Sequence, residues 1–292
     1  MSVLCLIANP AEPALAPGVV AAIQHDTHGE INWLHPRGIA CEIVRPTAPD
    51  PVAVARAHLG TLPIDVALVP IANRRKRLLV ADMDSTMIDQ ECIDEIAGVL
   101  GLRAEVAAIT ERAMRGELDF AEALRTRVAL IKGVDRKALD EIRRERITLA
   151  PGSRTLVQTM KAYGAITSLV SGGFTFFSEY IAKRLGFDES KANVLEFDAD
   201  DRLTGTVAEP IVGREMKLTR LTELAAAHGI PTAATMAVGD GANDLDMIRA
   251  AGLGVALHAK PIVAAEAHAR IDHGDLTALL YLQGYSEDEF VR

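Results

Sequence analysis

At 292 residues, 49% apolar and 4% aromatic, the chain can build one large domain or two or three smaller ones, each with its own core. Its net charge of -9 argues against a nucleic-acid partner. Three cysteines (Cys5, Cys41 and Cys92), an odd number without metal-ligand spacing, argue against a disulfide framework or a zinc site and fit a reducing compartment. Met1 to Ala8 lacks a basic n-region, and no apolar run approaches the roughly 18 residues of a membrane span, so no membrane partner and a cytoplasmic location are expected.

Residues 1–73 read as one unit. Val3 to Ala8 is a short apolar run and Gly18 to Gln24 suits a helix. Ile31 to Leu34 and Ile39 to Val44 have strand composition and are joined by Pro36-Arg37-Gly38. Asp50-Pro51 supplies an N-cap and an N1 proline for a helix through Leu59, and Asp65 to Ile71 is a last strand. The order βαββαβ is that of an α+β ferredoxin-like or ACT-like module; the alternative is an irregular extension packed on the remainder. The unit holds no candidate catalytic group, so it is expected to regulate or to support a homodimer. The cluster Arg74-Arg75-Lys76-Arg77 precedes an apolar run and reads as a solvated strand entry rather than a binding patch.

From Leu78 onward strands alternate with helices. Leu78 to Ala81, Ile166 to Val170 and Met236 to Val238 are wholly apolar, as parallel strands buried on both faces must be. Each ends in a cluster of Asp, Ser or Gly, and a doubly wound parallel α/β sheet binds its ligands at those strand ends. Between the first two strands, Ile93 to Leu100, Glu105 to Arg115, Asp119 to Ile131 and Asp135 to Thr148 carry helical periodicity, punctuated by Gly101, Gly116 and Gly133. The expected organisation is an N-terminal module over 1–73, a core over 74–90 and 151–292, and a helical cap over 91–150.

The first strand end carries Asp82-Met83-Asp84-Ser85-Thr86. Residues two apart in extended chain face one side, so both carboxylates can share a site. Like charges that close need a cation or a shared proton, and magnesium prefers oxygen ligands. One carboxylate can attack phosphorus while its neighbour moves the proton. The second cluster, Ser171-Gly172-Gly173, is expected to open a helix near Phe174, offering a hydroxyl and a close backbone approach to an anion; a plain left-handed turn is the alternative. The third, Gly239-Asp240-Gly241-Ala242-Asn243-Asp244, brings two acids and an amide to a strand end, which suits a magnesium ligand set. Lys217, early in a helix spanning Lys217 to His228, could neutralise a phosphoryl oxygen, although a helical lysine is usually a solvated charge.

In order and spacing these segments resemble the haloacid-dehalogenase superfamily, with its Asp-x-Asp-x-Thr, Ser/Thr, Lys and Gly-Asp-x-x-Asn-Asp motifs. The resemblance implies Asp82 as nucleophile and Asp84 as general acid/base. It implies Mg2+ held by the Asp82 carboxylate, the Asp84 carbonyl and Asp240, with Asp244 in support, and a phosphoryl group held by Ser171 and Lys217. Over roughly residues 78 to 275 the chain is further similar to phosphoserine phosphatases. The segments that carry this are Asp89-Gln90-Glu91-Cys92-Ile93-Asp94-Glu95-Ile96-Ala97, Arg115-Gly116-Glu117-Leu118-Asp119-Phe120, Leu124-Arg125-Thr126-Arg127-Val128 and Ser171-Gly172-Gly173-Phe174. That likeness implies hydrolysis of L-phosphoserine, the last step of serine biosynthesis. Glu91 would pair the substrate ammonium and Arg127 grip its carboxylate, with Met114 and Phe120 closing over it. Gly172, Gly173 and Asn243 would complete the binding set. Taken singly, Arg127 could be a surface ion pair, Glu91 a helix-start acid and Phe120 cap core. Two other functions compete: a phosphatase or phosphotransferase for another small phosphomonoester, against which Glu91 with Arg127 speaks, and a non-catalytic amino-acid sensor, against which the full set of catalytic residues speaks.

Overall fold

The computed structural model describes residues 1–114 and 117–292, residue 114 by its backbone alone. The N-terminal segment folds as β1 (Ser2–Ala8), α1 (Pro17–Thr27), β2 (Glu30–His35), β3 (Ala40–Val44), α2 (Pro51–Leu59) and β4 (Ile64–Pro70). Its antiparallel strands lie in the order β2-β3-β1-β4, a split-βαβ arrangement. Asp50 caps α2 as expected, accepting the Ala53 N–H at 2.9 Å.

Both faces of this sheet are buried, and β1 shows why. Leu4, Leu6 and Ala8 point one way and pack with Val20, Ile23 and Ala55 of α1 and α2. Val3, Cys5 and Ile7 point the other way and join the main core beside Leu279 and Tyr281. The N-terminal module is thus seated on the end of the chain.

The core begins with β5 (Leu78–Ala81). A cap follows, made of α3 (Cys92–Val99), α4 (Arg103–Met114), α5 (Phe120–Leu130) and α6 (Arg136–Glu145). The chain then returns through α7 (Ser153–Ala162), β6 (Ile166–Phe174), α8 (Thr175–Leu185) and β7 (Glu189–Asn193). A hairpin of β8 (Leu195–Phe197) and β9 (Leu203–Val207) precedes α9 (Arg214–Ala227), β10 (Thr235–Gly239) and α10 (Leu245–Ala250). β11 (Leu253–Leu257), α11 (Pro261–Ala264), β12 (Ala269–Ile271) and α12 (Ala278–Leu282) complete the fold.

The core sheet is parallel, in the order β12-β11-β10-β5-β6-β7. Leu79 and Ala81 of β5 pack with α7 and α8 through Leu156, Met160 and Phe177. Leu78 and Val80 pack on the opposite face with Leu221, Leu224 and Met247 of α9 and α10. The chain leaves β5 for β6 on one side and later returns as β10 on the other. The carboxyl end of β5 is therefore the switch point where such sheets bind ligands.

The hairpin reaches out of the core to hold the cap. The Leu203 N–H donates to the Val134 carbonyl and the Gly133 N–H to the Leu203 carbonyl, both at 2.8 Å. Gly205 is required there: its φ is +86°, and a Cβ would lie 3.0 Å from that of Lys132.

The helix expected to open near Phe174 starts at Thr175, with Phe174 as its N-cap, and β6 stays extended up to it; neither glycine is among the positive-φ residues. The alternative of a left-handed turn therefore fails. The basic cluster is not uniformly solvated either. Lys76 is buried with its ammonium on the Ala233 carbonyl at 2.7 Å, and burial lowers its pKa to about 8. Arg74 is half-buried and bonds Glu42 at 2.5 Å, the Leu282 carbonyl at 2.9 Å and the Tyr281 carbonyl at 3.2 Å.

Candidate active site

The residues picked out by sequence converge on the end of β5. Asp82 emerges there, its N–H on the Val238 carbonyl of β10 at 3.0 Å, which locks the two strand ends together. Lys217 of α9 is 1% exposed and sits between two carboxylates, 2.7 Å from Asp82 Oδ2 and 2.6 Å from Asp244 Oδ1. Burial opposes its charge, but Asp244 and Asp82 outweigh that and hold its pKa above the ordinary lysine range. The helical lysine is thus no solvated charge.

Carboxylate oxygens of Asp82, Asp240 and Asp244 lie within 4.8 Å of one another. The Asp244 Oδ2 accepts the Gly241 N–H at 3.0 Å, and Asp240 Oδ1 accepts the Thr86 hydroxyl at 3.2 Å. Burial, reinforced by repulsion from Asp82, pushes Asp240 up to about 6 and Asp244 up to about 7. Three acids face one buried ammonium, with Lys260 acting on Asp240, and this excess of acid matches a hard divalent cation with oxygen ligands. Gly239 makes the packing feasible, since a Cβ there would lie 2.4 Å from Asp244 Oδ2.

Asp84, two residues on, lines the same cavity as Asp82. Its Oδ1 accepts the Cys92 N–H at 2.9 Å, and its Oδ2 accepts the Ser171 hydroxyl at 3.1 Å. Burial raises its pKa, Cys92 opposes the shift and the Asp82 charge adds to it. The shift is in the direction that a proton donor needs. Ser171 Oγ in turn accepts the Gly173 N–H at 2.8 Å. The glycines are there for room: a Cβ on Gly173 would lie 2.7 Å from Asp84 Oδ2, and one on Gly172 3.0 Å from the Phe120 ring.

Over this floor the cap closes a cavity of about 320 Å³. Glu91, at the N-cap of α3, and Phe120 and Arg127 of α5 line it together with Asp82, Asp84 and Asn243. Asp119 caps α5, accepting the N–H groups of Ala121 at 2.6 Å and Glu122 at 3.2 Å, which aims the helix start at the site. Glu91 accepts the Ser85 hydroxyl at 2.8 Å; burial first and the Asp84 charge second raise its pKa to about 8. Arg127 donates to Thr110 Oγ1 at 3.1 Å and to the Ala123 carbonyl at 3.2 Å. Burial lowers its pKa, against the pull of Glu91 and Asp94. Arg127 is half-buried in the cavity wall rather than paired on the surface, whereas Glu91 does start a helix, at the N-cap of α3, with its side chain on the cavity. The Met114 side chain, Arg115 and Gly116 lie outside the described residues.

Among the polar residues that line the cavity, Thr110, Arg214 and Lys260 were not foreseen. Arg214 precedes Lys217 by one helical turn on α9 and so shares its face. Lys260 follows β11, another apolar strand whose carboxyl end opens on the same side.

The fold and site define a class. The family described as haloacid dehalogenase-like hydrolase matches residues 79–249, and the chain belongs to it. The curated relatives place it within that family. It is 45% identical over 243 residues to a phosphoserine phosphatase of Streptomyces coelicolor, covering 82% of this chain and 59% of that protein. It is 47% identical over 226 residues to a phosphoserine phosphatase of Polaromonas sp., covering 76% of this chain and 95% of that one. The crystal structure of a probable phosphoserine phosphatase from Vibrio cholerae superposes with a TM-score of 0.78 at 34% identity, over 99% of this chain and 88% of the other. The chain thus spans little more than half of the longer Streptomyces relative and nearly all of the shorter Polaromonas one. By this evidence it is a member of the phosphoserine phosphatases.

Proposed function

We propose that this chain hydrolyses L-phosphoserine to L-serine and phosphate through an aspartyl-phosphate on Asp82, with magnesium as its metal. The observation that carries the reading is the pairing, in one cavity, of a Lys217-anchored carboxylate floor with a roof that offers Glu91 and Arg127. A phosphoserine carries phosphate at one end and an ammonium and a carboxylate at the other, and each end meets the groups it needs.

A carboxylate oxygen of Asp82 attacks phosphorus and the P–O(serine) bond breaks. Asp84 gives its proton to the departing serine oxygen. Asp84, now ionised, takes a proton from water, whose oxygen attacks phosphorus and frees the Asp82 carboxylate with release of phosphate. Lys217 and the Ser171 hydroxyl hold the phosphoryl oxygens and stabilise the charge that builds on them. The carboxylates of Asp82, Asp240 and Asp244 and the main-chain carbonyl of Asp84 would hold magnesium, which neutralises phosphoryl charge when bound.

In this reading residues 1–73 form an ACT-like module, 91–150 the cap, and 74–90 with 151–292 the catalytic body. Both faces of the N-terminal sheet are covered, so a homodimer through this module pairs at its β2 edge, where Glu30, Ile31 and Asn32 are exposed. Sedimentation velocity with an Ile31→Lys variant reads that association. No helix among the described residues is long and apolar enough to cross a membrane. The three buried free cysteines fit a cytoplasmic setting. Phosphate release with magnesium from L-phosphoserine, D-phosphoserine, phosphothreonine and a sugar phosphate tests the assignment. Equal turnover of all four would refute it.

A further inference from the structure

Asp65 in β4 is 5% exposed and accepts from three consecutive backbone amides more than 200 residues further along the chain. Its Oδ1 takes the N–H of Asp272 at 2.8 Å, and its Oδ2 takes the N–H of Gly274 at 2.7 Å. The His273 N–H lies 3.2 Å from both oxygens. Asn9 of the same module donates to the His273 carbonyl at 2.9 Å. Gly274 is needed for the approach, since a Cβ there would lie 3.1 Å from Asp65 Oδ2. A buried carboxylate that spends its lone pairs on consecutive backbone amides freezes that loop.

The loop is held on its other side by His258. The His258 Nε2 bonds the Gly274 carbonyl at 2.8 Å, and because a carbonyl only accepts, that nitrogen carries the proton. The His258 N–H donates to the Ile271 carbonyl at 2.8 Å. Its φ of 44° is left-handed, a conformation that a non-glycine residue keeps only when its surroundings impose it. Two residues on, the Lys260 N–H donates to the Asp240 carbonyl at 3.1 Å, and the Lys260 side chain lines the cavity beside Asp240.

We infer that the N-terminal module is a working part of the cation site: Asp65 is a positioning residue that, through the 272–274 loop and His258, sets the Lys260–Asp240 side of the carboxylate cluster. The inference rests on the assignment of Asp240 as a metal ligand. Outer-shell groups that orient a ligand act on metal affinity before they act on chemistry, and this relay has the same form one shell further out. Arg74 with Glu42 forms the comparison within the molecule. It ties the same module to α12 through the Tyr281 and Leu282 carbonyls, without touching the loop.

The test is magnesium binding to the full-length protein by calorimetry, with thermal unfolding measured alongside. Asp65→Ala, Asp65→Asn and His258→Ala should each weaken magnesium roughly tenfold, with kcat at saturating magnesium near wild type. Glu42→Gln should lower the unfolding temperature and leave the magnesium affinity where it was. His258→Ala leaves the module interface intact and so reads the relay even where the Asp65 variants fold poorly. Unchanged magnesium affinity in a folded Asp65→Asn or His258→Ala protein, or an equal loss in Glu42→Gln, would overturn the inference. Binding is read without turnover, so failure of the wild type to hydrolyse phosphoserine would strike the substrate assignment and leave this result standing.

Discussion

The floor and the roof of the cavity are built on different terms. On the floor, Asp82, Asp244 and Lys217 lie at the ends of core elements and are almost wholly buried, with Lys217 bonding the two acids at 2.7 and 2.6 Å. In the roof, Glu91 and Arg127 sit on an inserted helical layer and bond local partners, the Ser85 and Thr110 hydroxyls, that water or substrate can replace. The floor is committed before a substrate arrives. The roof keeps charge available to one. Rigid preorganised charge suits the phosphoryl chemistry, which is common to many esters. Replaceable bonds suit selection, because a ligand lacking the right groups gains nothing by entering.

The largest effect should follow from the floor. Asp82→Asn should cut turnover on the order of 10⁵-fold for every substrate, because an amide does not attack phosphorus. Circular dichroism should show an intact fold. Residual hydrolysis within tenfold of wild type in a folded variant would place the nucleophile elsewhere.

Lys217→Met comes next. It should cost roughly 10²–10³-fold in kcat, again for all substrates, as a donor to developing charge is lost. It also leaves Asp82 and Asp244 buried without their cation, so the metal-free variant should be less stable by about 3 kcal/mol or more. Added magnesium should restore part of that, and melting curves with and without the metal will show it.

Arg127→Ala tests the roof, with a smaller and selective loss. A charge-assisted bidentate grip is worth about 2–4 kcal/mol in kcat/KM for phosphoserine. Phosphoethanolamine, which lacks the carboxylate, should barely respond. Equal losses for both would make Arg127 a structural residue and erase the contrast between floor and roof. Glu91→Gln should show a different pattern, penalising phosphoserine and phosphoethanolamine alike and sparing substrates without an ammonium.

The smallest effect is on stability against pH. Glu91 titrates near 8, Asp244 near 7 and Asp240 near 6, all above the unfolded carboxylate range. Between about pH 4 and pH 8 the folded state therefore binds more protons than the unfolded one. Their contribution to stability is present below about pH 4 and is lost as pH rises through the folded values. Metal-free protein should melt lower at about pH 8 than at about pH 5, and magnesium should raise the melting temperature more at the higher pH. A flat profile in the metal-free protein would mean that the acids are already compensated.

The floor was legible in the sequence because a parallel strand buried on both faces must be apolar and must stop where polar chemistry begins. Leu78 to Ala81 followed by Asp82 announces itself. The helices of the cap were legible by period, within one to three residues at their ends. Other features were not. Glycines at 172 and 173 read as room for an anion or as a turn, and what the structure shows is lack of bulk against Phe120 and Asp84. The burial of the N-terminal sheet on both faces was present in β1, whose alternate residues are apolar in both phases, but period alone does not say what covers the second face. The hairpin β8–β9 escaped notice because its strands are short and half-exposed, with Asp198, Asp200 and Asp201 between them.

That hairpin has a mechanical meaning. A layer inserted between two strands is tethered where the chain leaves and re-enters, and two tethers alone let it swing as a flap. Here β9 is stitched by main-chain bonds to Gly133 and Val134, and Arg136 and Arg125 reach Asp201 at 3.0 Å and Glu209 at 2.6 Å. These attachments pin the α5–α6 side of the layer, turning it from a flap into a door with a fixed jamb. α4 packs on α3 and α5 within the layer. Phe120 and Arg127 ride on the jamb, so the attachments that fix the hairpin to α5 and α6 also fix these two side chains over the floor.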